Sequence, residues 1–161
     1  MIQVESAMKI AVRAHKHQVD KVGQPYVAHC VRVAGKLEDL DVDDLLVVAW
    51  MHDVIEDTNF LKIDYPFSRE YCLQYQWELE DRYGMSAEQA KGLVAMTRFS
   101  DESYREYTER VKRNFIARLV KLADLADNLS PARLDQIQPK GLRDRLREKY
   151  LHTRAYLMEE D

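Results

Sequence analysis

An uninterrupted apolar run, LLVVAWM from Leu45 to Met51, leads straight into HDVIEDT at 52–58, so one imidazole and three carboxylates stand at the end of a segment suited to burial. Burying an unpaired ion costs several kcal/mol or more. A chain that carries His52, Asp53, Glu56 and Asp57 at such a place must fold so that something offsets their desolvation. A divalent cation would offset it.

The rest of the sequence says how that run is housed. Five Gly and four Pro in 161 residues leave few breaks, and the segments between them repeat with a helical rather than an alternating period. The reading is all-α: one compact helical domain over 1–161, with a metal site between buried helices. A chain of this length buries roughly two thirds of the surface its unfolded form exposes, so no second domain is needed.

A first helix presents Met8, Ala11, Val12 and His15 on one face and ends near DKVGQPY, where Gly23 and Pro25 break the pattern. A second begins near Tyr26, with Val27, Cys30, Val31, Val33, Ala34 and Leu37 inward and His29 close to its start. Asp41 followed by Asp44 resembles an N-terminal cap for the third helix, which carries the apolar run on into HDVIED. Residues 58–67, containing Pro66, predict a loop near the site. Helices are expected over 68–83 and 86–98, the latter opened by a capping box of Ser86 and Gln89; Ser103 and Glu106 repeat that signal. A second buried helix follows Asn114, with Phe115, Ile116, Leu119, Val120, Leu122, Ala123 and Leu125 as its apolar positions, and ends before Pro131. A charged final helix follows Pro139.

The net charge of −4, with both signs mixed along the chain, argues against a nucleic-acid polymer as partner. Cys30 and Cys72 are the only cysteines, too few for a disulfide framework or a metal knuckle, which makes a reducing, cytoplasmic setting the expectation. The N-terminus lacks the pattern of a signal peptide, and no apolar run approaches the ~20 residues of a membrane span. No membrane association is expected.

The second buried helix carries Asp124, Asp127 and Asn128 in VKLADLADNL, with Asp124 and Asn128 one turn apart on one face. A lone Asp in an apolar helix is usually capped or salt-bridged, and Lys121 is at hand for that. Two apolar helices that each present a carboxylate are, however, what a site assembled between helices requires. With His29 added, His29, His52, Asp53 and Asp124 offer two nitrogen and two oxygen donors, a set that suits Mn²⁺, Fe²⁺ or Zn²⁺. Glu56 and Asp57 are then the groups that orient and deprotonate an attacking water, and the implied chemistry is hydrolysis of a phosphate ester. His15 reads as a packed or supporting histidine, His17 and His152 as surface residues. Basic runs containing Lys112, Arg113, Arg143, Arg145 and Arg147 read mainly as solvated helix faces, and Tyr104 and Tyr107 as packing residues. No Walker loop, Rossmann fingerprint or G-x-S-x-G elbow is present.

Four segments in order, AHKHQ at 14–18, GQPYVAH at 23–29, HDVIEDT at 52–58 and VKLADLADN at 120–128, resemble the HD-domain metal-dependent phosphohydrolases. More closely, they resemble the hydrolase domain of SpoT/RelA-type alarmone enzymes and the small alarmone hydrolases. The resemblance implies a single Mn²⁺ on His29, His52, Asp53 and Asp124, Glu56 and Asp57 serving the water, and removal of the 3′-pyrophosphate of (p)ppGpp to leave GDP or GTP. It also implies substrate contacts from Lys21, Asn128 and Tyr150 and a role in the stringent response.

The chain departs from the family pattern in two places. Asp20, Lys21 and Val22 stand where the family usually has Arg-Lys-Ser, and an acidic Asp20 cannot supply a stacking cation. The family's K-L-A-D-R-L-H-N is changed here to Leu125, Ala126 and Asp127. Both changes bear on base recognition, so an adenine alarmone such as ppApp or an NADPH-like phosphate is the alternative substrate. A metal or nucleotide sensor without turnover is the rival of another class; it would have no need of the Glu56 and Asp57 pair.

Overall fold

The computed structural model describes residues 1–59, 61 and 65–159. These form helices with no strand among them: α1 Val4–Ala14, α2 Tyr26–Gly35, α3 Asp43–Met51, α4 Val54–Asp57, α5 Cys72–Tyr83, α6 Ala87–Met96, α7 Tyr104–Arg113, α8 Phe115–Asn128, α9 Pro131–Leu134 and α10 Lys140–Met158. No helix among the described residues is long and apolar enough to cross a membrane.

α3 is the axis of the fold because it is apolar all round, and a helix without a polar face must be covered on every side. It packs against α1, α2, α6 and α8. Two apolar clusters result. Val48 and Ala49 join α2, α7, α8 and α10 in one, while Val47 and Met51 join α1, α5 and α6 in the other, and Trp50 packs against both. Where α6 meets α3 and α8, Gly92 allows close approach: a Cβ there would lie 3.0 Å from an Ile116 methyl and 3.1 Å from one of Val48.

Both capping boxes are present, Ser86 with Gln89 and Ser103 with Glu106, and Asn114 caps α8 through the Ala117 N–H. Gly84 closes α5 in the left-handed conformation, at φ 67°, which costs glycine little.

Several expectations are corrected. On α1 the buried residues are Ala7, Ala11 and His15, whereas Met8 and Val12 are exposed, because α1 meets α3 through its small side chains. Val31 on α2 and Phe115 at the start of α8 also face solvent. Asp41 does not cap α3: it holds a left-handed turn residue at φ 50°, and Val42 precedes the helix without a side-chain cap. α3 does not run on through HDVIED but stops at Met51, with α4 beginning after Asp53. The predicted loop at 58–67 falls partly outside the described residues, at 60 and 62–64. Its remaining residues are not helical, and Tyr65 and Phe67 stack with Tyr75 rather than lining the candidate site.

Candidate metal and phosphohydrolase site

The break between α3 and α4 shapes the centre of the site. Asp53 sits at φ −106°, ψ 1°, between the two helices, which turns its carboxylate toward the imidazole beside it. His52 Nδ1 lies 2.8 Å from the Ala49 carbonyl oxygen, so that nitrogen carries the proton and Nε2 is left as the free donor. This Nε2 is buried and finds no hydrogen-bond partner among the described residues, although Asp53 Oδ2 is only 2.8 Å away. Two atoms that close, without hydrogen-bond alignment, have the placement that two ligands of one ion would need.

His29, from the first turn of α2, completes the group. Its Nε2 lies 3.8 Å from Asp53 Oδ2 and 3.2 Å from Asp124 Oδ1 on α8. One donor atom from each of His29, His52 and Asp53 falls within 4.8 Å of the others, and Asp124 joins through its contact with His29. His29, His52 and Asp53 are therefore brought together, with Asp124 adjoining through His29, and the set fits a divalent cation: the donors are mixed imidazole and carboxylate, and the buried His52 Nε2 is orphaned without it.

Each donor residue also has further partners. Asp124 Oδ2 accepts from Lys121 Nζ at 2.9 Å, and its Oδ1 from Asn128 Nδ2 at 2.6 Å. The Tyr26 hydroxyl donates to Asp53 Oδ2 at 2.5 Å. Asp127 Oδ2 lies 2.7 Å from His29 Nδ1, while its Oδ1 accepts from Arg32 Nε at 2.7 Å, and Arg133 donates to the same carboxylate. Such carboxylate–imidazole contacts orient metal-binding histidines.

The charges follow from these contacts. Burial opposes the charged form of His52, but the Asp53 carboxylate outweighs it and raises the imidazole to about 9. Burial likewise opposes His29, whose contacts with Asp124 and Asp127 raise it on balance. Despite burial, Lys121 and His29 hold Asp124 well below the usual carboxylate range. A cation at these donors would compete with the protons that the neighbouring carboxylates favour on the imidazoles.

Glu56 and Asp57 open onto the same cavity, of about 340 Å³, within the range of small-molecule sites. Burial raises the Glu56 carboxyl, and its Oε2 accepts the Arg98 backbone N–H at 3.3 Å. Arg98 is held there because its guanidinium donates to the Glu102 carbonyl oxygen. Asp57 accepts from Gln18 Nε2 at 3.1 Å, and Gln18 Oε1 lies 2.6 Å from His15 Nδ1. His15 is therefore a buried supporting residue, and His17 and His152 are exposed.

Lys21, Asn128 and Tyr150 all line the cavity. Among the cations, Arg98, Lys121, Arg133 and Lys149 join Lys21 there, whereas Lys112, Arg113, Arg143, Arg145 and Arg147 do not. Lys149 is lowered by burial and then by the nearby Lys121, Arg98 and Lys21 charges. Tyr104 and Tyr107 wall the cavity while hydrogen-bonded elsewhere, Tyr107 to the Met96 carbonyl and Tyr104 with Thr153.

The functional residues least visible in the sequence are Tyr26, Asp127 and Arg133. Asp20, which replaces a family arginine, has a buried side chain: its Oδ1 accepts the Val22 and Gln24 N–H groups, and its Oδ2 lies 3.3 Å from Arg133. Arg133 comes from α9, a short helix that Pro131 starts at its first position and that sequence periodicity did not reveal.

No family model matches the chain. It is 32% identical over 152 residues to a probable guanosine-3′,5′-bis(diphosphate) 3′-pyrophosphohydrolase of Synechocystis sp., an alignment covering 88% of this chain and 18% of that protein. The bifunctional (p)ppGpp synthase/hydrolase SpoT of Escherichia coli is 30% identical over 137 residues, 79% of this chain and 18% of SpoT. A guanosine-3′,5′-bis(diphosphate) 3′-pyrophosphohydrolase of Aquifex aeolicus is 28% identical over 136 residues, covering 79% and 17%. The chain spans less than a fifth of the length of these curated relatives. Over most of its own length it is thus a homologue of the SpoT/RelA-type proteins, with the all-α architecture of an HD-type hydrolase domain.

Proposed function

We propose that the chain hydrolyses the 3′-pyrophosphate of (p)ppGpp, releasing pyrophosphate and GDP or GTP, with Mn²⁺ as the resident cation. The observation that carries this reading is the division of charge in one cavity. Asp53 and Asp124 face it with Glu56 and Asp57 nearby, and Lys21, Arg98 and Lys149 line it without a carboxylate partner among the described residues. The names of the relatives support the substrate class.

A cation on His29, His52, Asp53 and Asp124 would lower the pKa of water and neutralise charge on phosphoryl oxygens. Zn²⁺ or Fe²⁺ would suit the same donors. Glu56, raised by burial and held by the Arg98 N–H, accepts the proton of the attacking water. Asp57, fixed by Gln18, orients that water. Lys21 and Lys149 bind phosphate oxygens as point charges, Arg98 offers the guanidinium N–H groups not used on the Glu102 carbonyl, and Tyr150 and Lys21 border the nucleoside. Asn128 acts first on Asp124, since its amide nitrogen is committed to that carboxylate. The partner is thus a small nucleotide, and the reading assigns no role to a nucleic-acid polymer or a membrane.

The test is product analysis after incubation with Mn²⁺ and ppGpp, ppApp or NADPH in parallel. Pyrophosphate and GDP from ppGpp are expected. Turnover of ppApp or NADPH alone would keep the hydrolytic chemistry and replace the base assignment, and turnover of none would favour a sensor that binds without reacting.

A further inference from the structure

Two of the positions at which this chain departs from its family's motifs, Asp20 and Asp127, are far apart in sequence but joined in space through one side chain. The Arg133 guanidinium donates through NH1 to Asp127 Oδ2 and brings NH2 to 3.3 Å from Asp20 Oδ2. Asp127 in turn touches His29 Nδ1 at 2.7 Å. Both carboxylate side chains are almost wholly buried, at 2% exposure, and Arg133 is 15% exposed. Asp20 organises the turn at 20–24 by accepting two backbone N–H groups, and that turn supplies Asp20 and Lys21 to the cavity wall. A continuous chain of charged contacts therefore runs from the substrate-facing turn to the back of a candidate metal ligand.

We propose that Asp127 and Arg133 are positioning residues for the cation centre: Asp127 keeps the proton on His29 Nδ1 so that Nε2 faces the other donors, and Arg133 holds Asp127 in place while anchoring it to Asp20. The proposal rests on the metal reading above. Its physical basis is that an imidazole presents a chosen nitrogen only if the other one is engaged. At Nδ1 the 2.7 Å contact with Asp127 Oδ2 is the hydrogen bond that orients the ring; Arg133 is an obligate donor, and its Nη1, 2.8 Å from Nδ1, directs a proton to the same Asp127 oxygen. Arg32 supplies a second guanidinium to that carboxylate, so one acid accepts from three side chains. Among the described residues Asp20 has no hydrogen bond or ion pair to the four candidate ligands, and its side-chain link toward the centre is the ion pair with Arg133.

Charge alone and positioning make opposite predictions for Arg133. Removing a cation near a metal site by Arg133→Met should strengthen cation binding if only Coulomb attraction and repulsion matter. If Arg133 positions Asp127, the same change weakens it. The experiment is titration of the metal-free protein with Mn²⁺, without nucleotide, followed by electron paramagnetic resonance, with Tm recorded for each variant. Asp127→Ala is expected to weaken Mn²⁺ binding by about 10- to 100-fold, the range for such outer contacts, with Asp127→Asn, which keeps an acceptor for Nδ1–H, losing less. Arg133→Met is expected to weaken it at least about threefold, and Asp20→Asn combined with Arg133→Met to add little beyond Arg133→Met alone, as for members of one network. Tighter or unchanged binding in a folded Arg133→Met protein would overturn the proposal, as would an Asp127→Asn protein no better than Asp127→Ala. If Asp127→Ala does not fold, Asp127→Asn and Arg133→Met still decide it. Failure of the unsubstituted protein to bind Mn²⁺ would instead overturn the metal reading itself.

Discussion

Asp53→Ala is expected to abolish binding of the divalent cation and to lower turnover of ppGpp by about a thousandfold or more, since a metal supplies several kcal/mol of transition-state stabilisation and each 1.36 kcal/mol is tenfold in rate. Asp53 is the donor placed nearest to the others' reach: its Oδ2 is 2.8 Å from His52 Nε2 and 3.8 Å from His29 Nε2. The variant should still fold. Burial opposes the charged form of His52 and Asp53 is the main group that offsets it, so removing Asp53 favours the neutral imidazole. Manganese content and pyrophosphate release are the two measurements. A variant that retains the parent's metal content would contradict the ligand assignment.

The second large effect separates binding from chemistry. Glu56→Gln is expected to leave metal content and KM near those of the parent while lowering kcat by about 10²- to 10⁴-fold, the usual contribution of a general base. Glu56 touches the Arg98 N–H and none of the four donors directly, and Gln can still accept that hydrogen bond. Steady-state kinetics together with metal analysis checks this. Loss of metal in Glu56→Gln would make Glu56 a ligand, and an unchanged kcat would remove it from the proton transfer.

How much of this was legible in the sequence depends on which physical signal each residue carried. Leu45 to Met51 announced a buried axis because continuous apolarity leaves a helix no solvent face. Ser86 with Gln89 and Ser103 with Glu106 announced helix starts because their side chains satisfy local backbone donors. The donors His29, His52, Asp53 and Asp124 were legible from polar groups interrupting apolar helices.

What was not legible arises from tertiary contacts. On α1 the sequence sets Ala11 on one face with Met8 and Val12, and only the close approach of α3 selects Ala11, together with Ala7, for burial. The stop at Met51 was hidden because nothing in HDVIED breaks a helix by itself; the His52 contact with the Ala49 carbonyl and the turned backbone at Asp53 mark the break. Asp20 and Asp127 read as losses relative to a family pattern, since the residue that gives them a purpose, Arg133, lies on a helix too short to show a period. Several of the cavity cations, Arg98 among them, carry no signal in the sequence. The conspicuous runs around 112 and 143 sit elsewhere, whereas Arg98 is placed by a turn that the Glu102 carbonyl organises.

The most direct test of the central claim is metal add-back. Protein stripped with chelator and dialysed should release no pyrophosphate from ppGpp, and activity should return in proportion to added Mn²⁺ up to about one equivalent per chain, as a single centre of four donors requires. Turnover that persists in the metal-free protein, or that needs no donor among His29, His52, Asp53 and Asp124, would contradict the account.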